Sequence, residues 1–184
     1  MIKLCAPELR TTVPKPLEVA SIKRNPIYIV CDNVLDTYNV GSIFRLADAV
    51  AATQILLCGA TEIPPNTRIK KASINTTEWV PWEYFKDAKS AVQSLKIKVP
   101  LQGKQNQNLK IISVEQDSRS VPFYKAEYSF PIALVVGNET YGISKEVLDI
   151  SDLIVEIPMW GVNKSLNVMV SLGIVLFEVM ENKV

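Results

Sequence analysis

Short, nearly continuous apolar runs alternate with amphipathic stretches along most of this 184-residue chain. The runs at 27–31, 54–58, 109–114, 131–136 and 153–157 are rich in Val, Ile and Leu, as strands buried on both faces of a sheet are. A further short strand is expected near Trp79 and Val80. Between the runs the spacing becomes helical. In 40–50, Ile43, Leu46, Ala47 and Val50 share one face, and in 85–95 Ala88, Val92 and Leu95 do. Helices are also expected around 69–76, at 145–149 behind a Ser144 cap, and at 166–182. Strands alternating with helices predict an α/β fold, a mainly parallel sheet flanked by helices. No internal repeat or boundary divides residues 26–184, which read as one domain. Residues 1–25, with Pro7, Pro14 and Pro16, read as an arm or a short leading helix.

The closing stretch is apolar all round, which raises the question of a membrane. A span needs about 20 mostly apolar residues, and Asn167, Ser171 and Glu178 interrupt this one. A core helix or an oligomer-interface helix is the expectation. The N-terminal residues lack the apolar run of a secretory signal.

Composition narrows the chemistry. With 20 basic and 19 acidic residues the net charge is +1, so any surface for nucleic acid must be a local patch. Cys5, Cys31 and Cys58 have no metal-binding spacing and suit a reduced, cytoplasmic protein. The chain has no histidine. That excludes Ser-His-Asp triads, imidazole acid–base catalysis and the common His-containing zinc sites. No metal site is expected.

Three segments follow strands at their carboxyl ends, the edge at which open α/β sheets bind ligands. They are 39–45 (Asn-Val-Gly-Ser-Ile-Phe-Arg), 134–139 (Leu-Val-Val-Gly-Asn-Glu) and 157–168 (Ile-Pro-Met-Trp-Gly-Val-Asn-Lys-Ser-Leu-Asn-Val). In the third, Pro158 ends a strand, Gly161 is expected to take a conformation other residues resist, and the loop is expected to be rigid. Glycine fingerprints for dinucleotides or a P-loop are absent.

Together these segments resemble the signature motifs of the SPOUT superfamily, specifically the TrmH (SpoU) family of RNA ribose 2′-O-methyltransferases. The resemblance covers about residues 26–180. It implies an α/β-knot fold with a C-terminal trefoil knot, S-adenosylmethionine as methyl donor with S-adenosylhomocysteine as product, a tRNA or rRNA substrate, and a homodimer. Val136, Gly137, Ile157, Met159 and Leu166 match positions around the adenosyl group. Arg45 matches the arginine at the target ribose, and Asn39, Glu139, Ser165 and Asn167 complete the catalytic set.

Each residue also has a plainer role open to it. Arg45 can pair with Asp48. A guanidinium is effectively always charged, so holding a phosphate and a developing alkoxide suits Arg45 better than taking a proton. Asn39 can cap a helix, Glu139 can hold Arg45 or sit in a solvated turn, and Ser165 and Asn167 can cap the last helix. Candidate RNA contacts are Arg45, Arg68, Lys71 and Lys164, with Lys23, Arg24, Lys70 and Lys104 as weaker ones. The alternative to an enzyme is a non-catalytic knotted module that binds RNA or a protein partner. A nucleotide enzyme that binds NAD is a further rival.

Overall fold

The computed structural model describes residues 5–99 and 108–181. The polar stretch expected as a surface loop at 102–108, with Lys104, lies outside them except for exposed Asn108. The described chain begins with two short helices, α1 (Ala6–Thr11) and α2 (Pro16–Ala20). Then β1 (Asn25–Asp32), α3 (Thr37–Ala49) and β2 (Ala52–Cys58) follow, and α4 (Thr67–Ser73) and a 3-10 turn lead to β3 (Trp82–Phe85). The remainder runs α5 (Ala88–Lys98), β4 (Lys110–Val114), β5 (Val121–Pro122), β6 (Ile132–Val136), α6 (Lys145–Leu148), β7 (Leu153–Glu156) and α7 (Val168–Glu181).

The seven strands form one sheet in the order β3-β2-β1-β6-β4-β7-β5, and every neighbouring pair is parallel. β1 and β6 hold the centre, which explains their unbroken apolar sequence. Ile27, Ile29 and Cys31 face one layer, built from α3, α4 and α7, where Ile43, Phe44, Ala47, Leu172, Val175 and Val179 are fully buried. Tyr28 and Val30 face the other, beneath α5 and α6, against Ala91, Val92 and Val147. Alternation of neighbouring residues between two apolar layers is what a strand covered on both faces requires.

Several expected boundaries move. Trp79 and Val80 follow the 3-10 turn, and the edge strand lies at Trp82–Phe85. Phe85 belongs to that strand, so the next helix starts at Ala88, capped by Asp87. The two-residue strand β5 carried too little pattern to be expected. No helix among the described residues is long and apolar enough to cross a membrane. In α7, Leu172, Val175, Leu176 and Val179 are buried, whereas Val170 and Phe177 stand exposed.

Candidate active site

Because all strands run the same way, their carboxyl ends gather at one edge, and the three sequence segments meet there. A cavity of about 480 Å³ opens between the ends of β4, β6 and β7 and the segment before α7. That size falls among small-molecule sites, about 300–1,000 Å³. Val136, Gly137, Ile157, Met159 and Leu166 all line it, as do Glu139, Lys164, Ser165 and Asn167. Val114, Glu115, Gln116 and Ser171, which the sequence did not single out, also line it. Only their places at the end of β4, just after it and inside α7 could have drawn attention to them.

Two glycines shape the wall. A side chain on Gly137 would put Cβ 2.3 Å from the backbone of Gly142 and Ile143, so only glycine lets the turn after β6 fold back onto the strand end. Gly142 has φ +69°, a left-handed value that favours glycine. Gly161 departs from expectation. It is not among the positive-φ glycines, and a Cβ there would meet nothing within 4 Å. Residues 160–167 are exposed, and the segment is tied down at its far end, where Lys164 and Asn167 bond to Gln116 and Asn39.

A chain of hydrogen bonds ties the three segments together. Glu139 accepts from the amides of Leu35 at 3.0 Å and Asp36 at 3.1 Å, and from Asn39 Nδ2 at 2.9 Å. Asn39 Oδ1 in turn accepts from Asn167 Nδ2 at 2.9 Å. Asn167 Oδ1 accepts from the Met169 amide at 3.0 Å. Each amide side chain therefore has one orientation that satisfies both neighbours. Burial pushes the Glu139 carboxyl up, but the bonds from Asn39, Leu35 and Asp36 outweigh it and hold its pKa below the ordinary value.

This network corrects several expectations. Asp36, not Asn39, caps α3, accepting from the Tyr38 amide at 2.8 Å. Asn39 lies inside the helix and is buried, because its side chain is the link between the other two segments. Glu139 holds the start of α3 rather than Arg45. Asn167 caps α7 through Met169, whereas Ser165 forms no such cap; its amide donates to Asn163 Oδ1 at 3.2 Å. Ser144 precedes α6 without capping it through its side chain. Its amide and hydroxyl donate instead to Asp32, at 2.8 and 2.6 Å.

The cations divide sharply. Arg45 is exposed on α3 and is absent from the cavity lining. It makes no ion pair with Asp48, whose carboxylate accepts from Trp79 Nε1 at 2.7 Å. Arg68, Lys70 and Lys71 are exposed on α4. Arg24 is not available for RNA in the same way, since it donates to the carbonyls of Ala52 at 3.0 Å and Trp79 at 2.6 Å. Lys164 lines the cavity, and its carbonyl accepts from Gln116 Nε2.

Residues 26–177 match the model of the SpoU rRNA Methylase family. The chain belongs to that family. It is 32% identical over 169 residues to the tRNA (guanosine(18)-2′-O)-methyltransferase of Aquifex aeolicus, spanning 90% of this chain and 74% of that protein. It is 29% identical to the 23S rRNA (guanosine-2′-O-)-methyltransferase RlmB of Ralstonia nicotianae, spanning 88% of this chain but only 61% of that longer protein. Among solved structures, the A. aeolicus TrmH/SpoU tRNA modifying enzyme matches with TM-score 0.75 and 28% identity, over 97% of this chain and 82% of that one. The AdoMet-bound rRNA methyltransferase from Sinorhizobium meliloti matches with TM-score 0.76 and 25% identity, over 96% of this chain and 60% of that one. As a family member the chain is a methyltransferase with S-adenosylmethionine as methyl donor and RNA as substrate. The cavity fits that donor: Val136, Ile157 and Leu166 offer apolar surface, and the glycine-shaped turn brings backbone polar groups close.

Proposed function

We propose that this chain transfers the methyl group of S-adenosylmethionine to a ribose 2′-hydroxyl in tRNA or rRNA, working as a cytoplasmic homodimer. The observation that carries the reading is the bond chain Glu139–Asn39–Asn167, which joins all three signature segments around one cavity. Residues 26–184 act as one methyltransferase domain, with the N-terminal residues as an arm. Trefoil threading of the C-terminal segment belongs to the same reading, supported by the match to the SpoU family.

When bound, the donor supplies an electrophilic methyl on a sulfonium, and in-line displacement asks the protein chiefly for positioning. Val136, Gly137, Ile157, Met159 and Leu166 hold the adenosyl group. Glu139, Asn39 and Asn167 keep the cavity walls in register, so their part is positioning. Ser165, at the cavity with a hydroxyl free of partners among the described residues, hydrogen-bonds the substrate. Arg45 meets the RNA from the exposed face of α3, holds a phosphate and stabilises the developing alkoxide as the 2′-proton passes to that phosphate. Arg68, Lys71 and Lys164 add phosphate contacts. A second copy seated on the exposed Val170 and Phe177 of α7 would cover apolar surface that one chain leaves in water.

Calorimetry with S-adenosylmethionine and with NAD, followed by transfer of labelled methyl to RNA, tests the reading. Donor binding and 2′-O-methylated RNA are expected. Binding of NAD alone sinks it, and donor binding without any transfer favours the non-catalytic module.

A further inference from the structure

Two large aromatic rings stand in water beside the cavity. Tyr141 and Trp160 are each 88% exposed. Their sequence neighbours Thr140 and Met159 line the cavity, so the rings rise from two different loops that bound one mouth. The loop carrying Tyr141 is fixed. Asn138 and Gly142 exchange backbone bonds at 3.0 and 2.9 Å, and Asn138 Oδ1 accepts from the amides of Thr140 at 2.8 Å and Tyr141 at 3.0 Å. Asn138 Nδ2 then donates to the Asn33 carbonyl at 2.9 Å, which anchors the turn to the end of β1. A turn bonded in this way cannot roll over to bury its ring. The far end of the other loop is held where Gln116 binds the Lys164 carbonyl.

Exposed aromatic rings held at a fixed mouth lose apolar contact that folding could otherwise have given them. The substrate is RNA, and to reach a ribose hydroxyl its nucleotide must lie at this mouth with its neighbours spread around it. Unstacked bases lose their π-contacts and regain them on aromatic side chains. Resting on the methyltransferase reading above, we propose that Tyr141 and Trp160 are base-stacking residues that hold unstacked bases beside the target ribose. A second copy of the chain is the weaker occupant, because covering both rings would close the mouth that the RNA must enter.

The test compares wild type with Tyr141→Ala, Trp160→Ala, the double variant, and Tyr141→Phe and Trp160→Phe. Labelled methyl transfer is measured on RNA from a strain lacking this protein, beside donor affinity and sedimentation. Each Ala variant is expected to lower kcat/KM for RNA roughly ten-fold, mainly through KM, as loss of one base stack does. Donor affinity and oligomeric state stay unchanged, and Phe restores most of the loss. Ala variants within about two-fold of wild type overturn the proposal, given that stacking is worth more than that. Loss of activity together with dissociation of the oligomer also overturns it and assigns the rings to a contact between copies. If wild type transfers no methyl to RNA, the methyltransferase reading itself fails; normal transfer by every variant removes the aromatic rim alone.

Discussion

Glu139, on the turn after β6, and Arg45, on the outer face of α3, are both charged residues of the signature segments, and the fold uses them in opposite ways. Glu139 spends its carboxylate inside the protein, on two amides at the start of α3 and on Asn39. Arg45 stands exposed and leaves Asp48 to Trp79. A charge whose hydrogen bonds are filled within the fold can hold geometry but has little left for a substrate. A charge that the fold leaves in water can take a phosphate without first breaking anything. Of these two charges from the same set of motifs, one therefore builds the site and the other is free to act.

The sharpest way to break this contrast is Arg45→Ala. It is expected to lower kcat for RNA methylation about 100-fold or more, the scale of losing a donor to developing negative charge. Donor affinity should stay within a few-fold, and the melting temperature should barely move, since exposed substitutions usually cost within about 0.5 kcal/mol. Normal methylation by this variant would remove Arg45 from the chemistry. Glu139→Ala should show the reverse emphasis. Leaving buried Asn39 without its acceptor costs about 1–3 kcal/mol, a fall of about 2–4 °C in melting temperature per kcal/mol for a chain of this size. An unchanged melting temperature would show that Glu139 does not hold the segments together.

A smaller effect is expected for Asn167→Ala, which removes both a cap and the last link of the chain. Cap loss typically costs about 1 kcal/mol, read by urea denaturation. The finest distinction is in pH. Since the folded Glu139 carboxyl lies below the ordinary value of 4.5, its stabilising effect is complete above that value and is lost as pH falls through the folded one. The stability gap between wild type and Glu139→Gln should therefore be widest near neutrality and should narrow at acid pH, below the ordinary carboxylate value. A gap independent of pH would mean that the carboxylate's charge does not matter.

Much of this was legible in the residues, and the misses share a cause. Strands β1 and β6 announce themselves because burial on both faces demands apolar side chains at every position. Edge strand β3 is half exposed and β5 has two residues, so neither carries a continuous run. Asn39 sits where the sequence suggests a cap, but the real cap is Asp36, three residues earlier. Local chemistry suits both, and only the arrival of Glu139 and Asn167 in space decides between them. Gly161 shows the opposite error, a glycine read as a conformational need at a place with open space around it.

By itself the sequence determined the α/β alternation, the central strands, the exclusion of histidine chemistry and the three segments that name the family. These are local properties: periodicity, residue type and spacing survive in the chain however it is folded. The tertiary structure alone decided which polar atoms meet. Glu139 and Asn39 are a hundred positions apart, and Asn39 and Asn167 lie 128 apart. Parallel strands bring their carboxyl ends to one edge, and the bonds formed there depend on distances of tenths of an ångström that no linear pattern encodes.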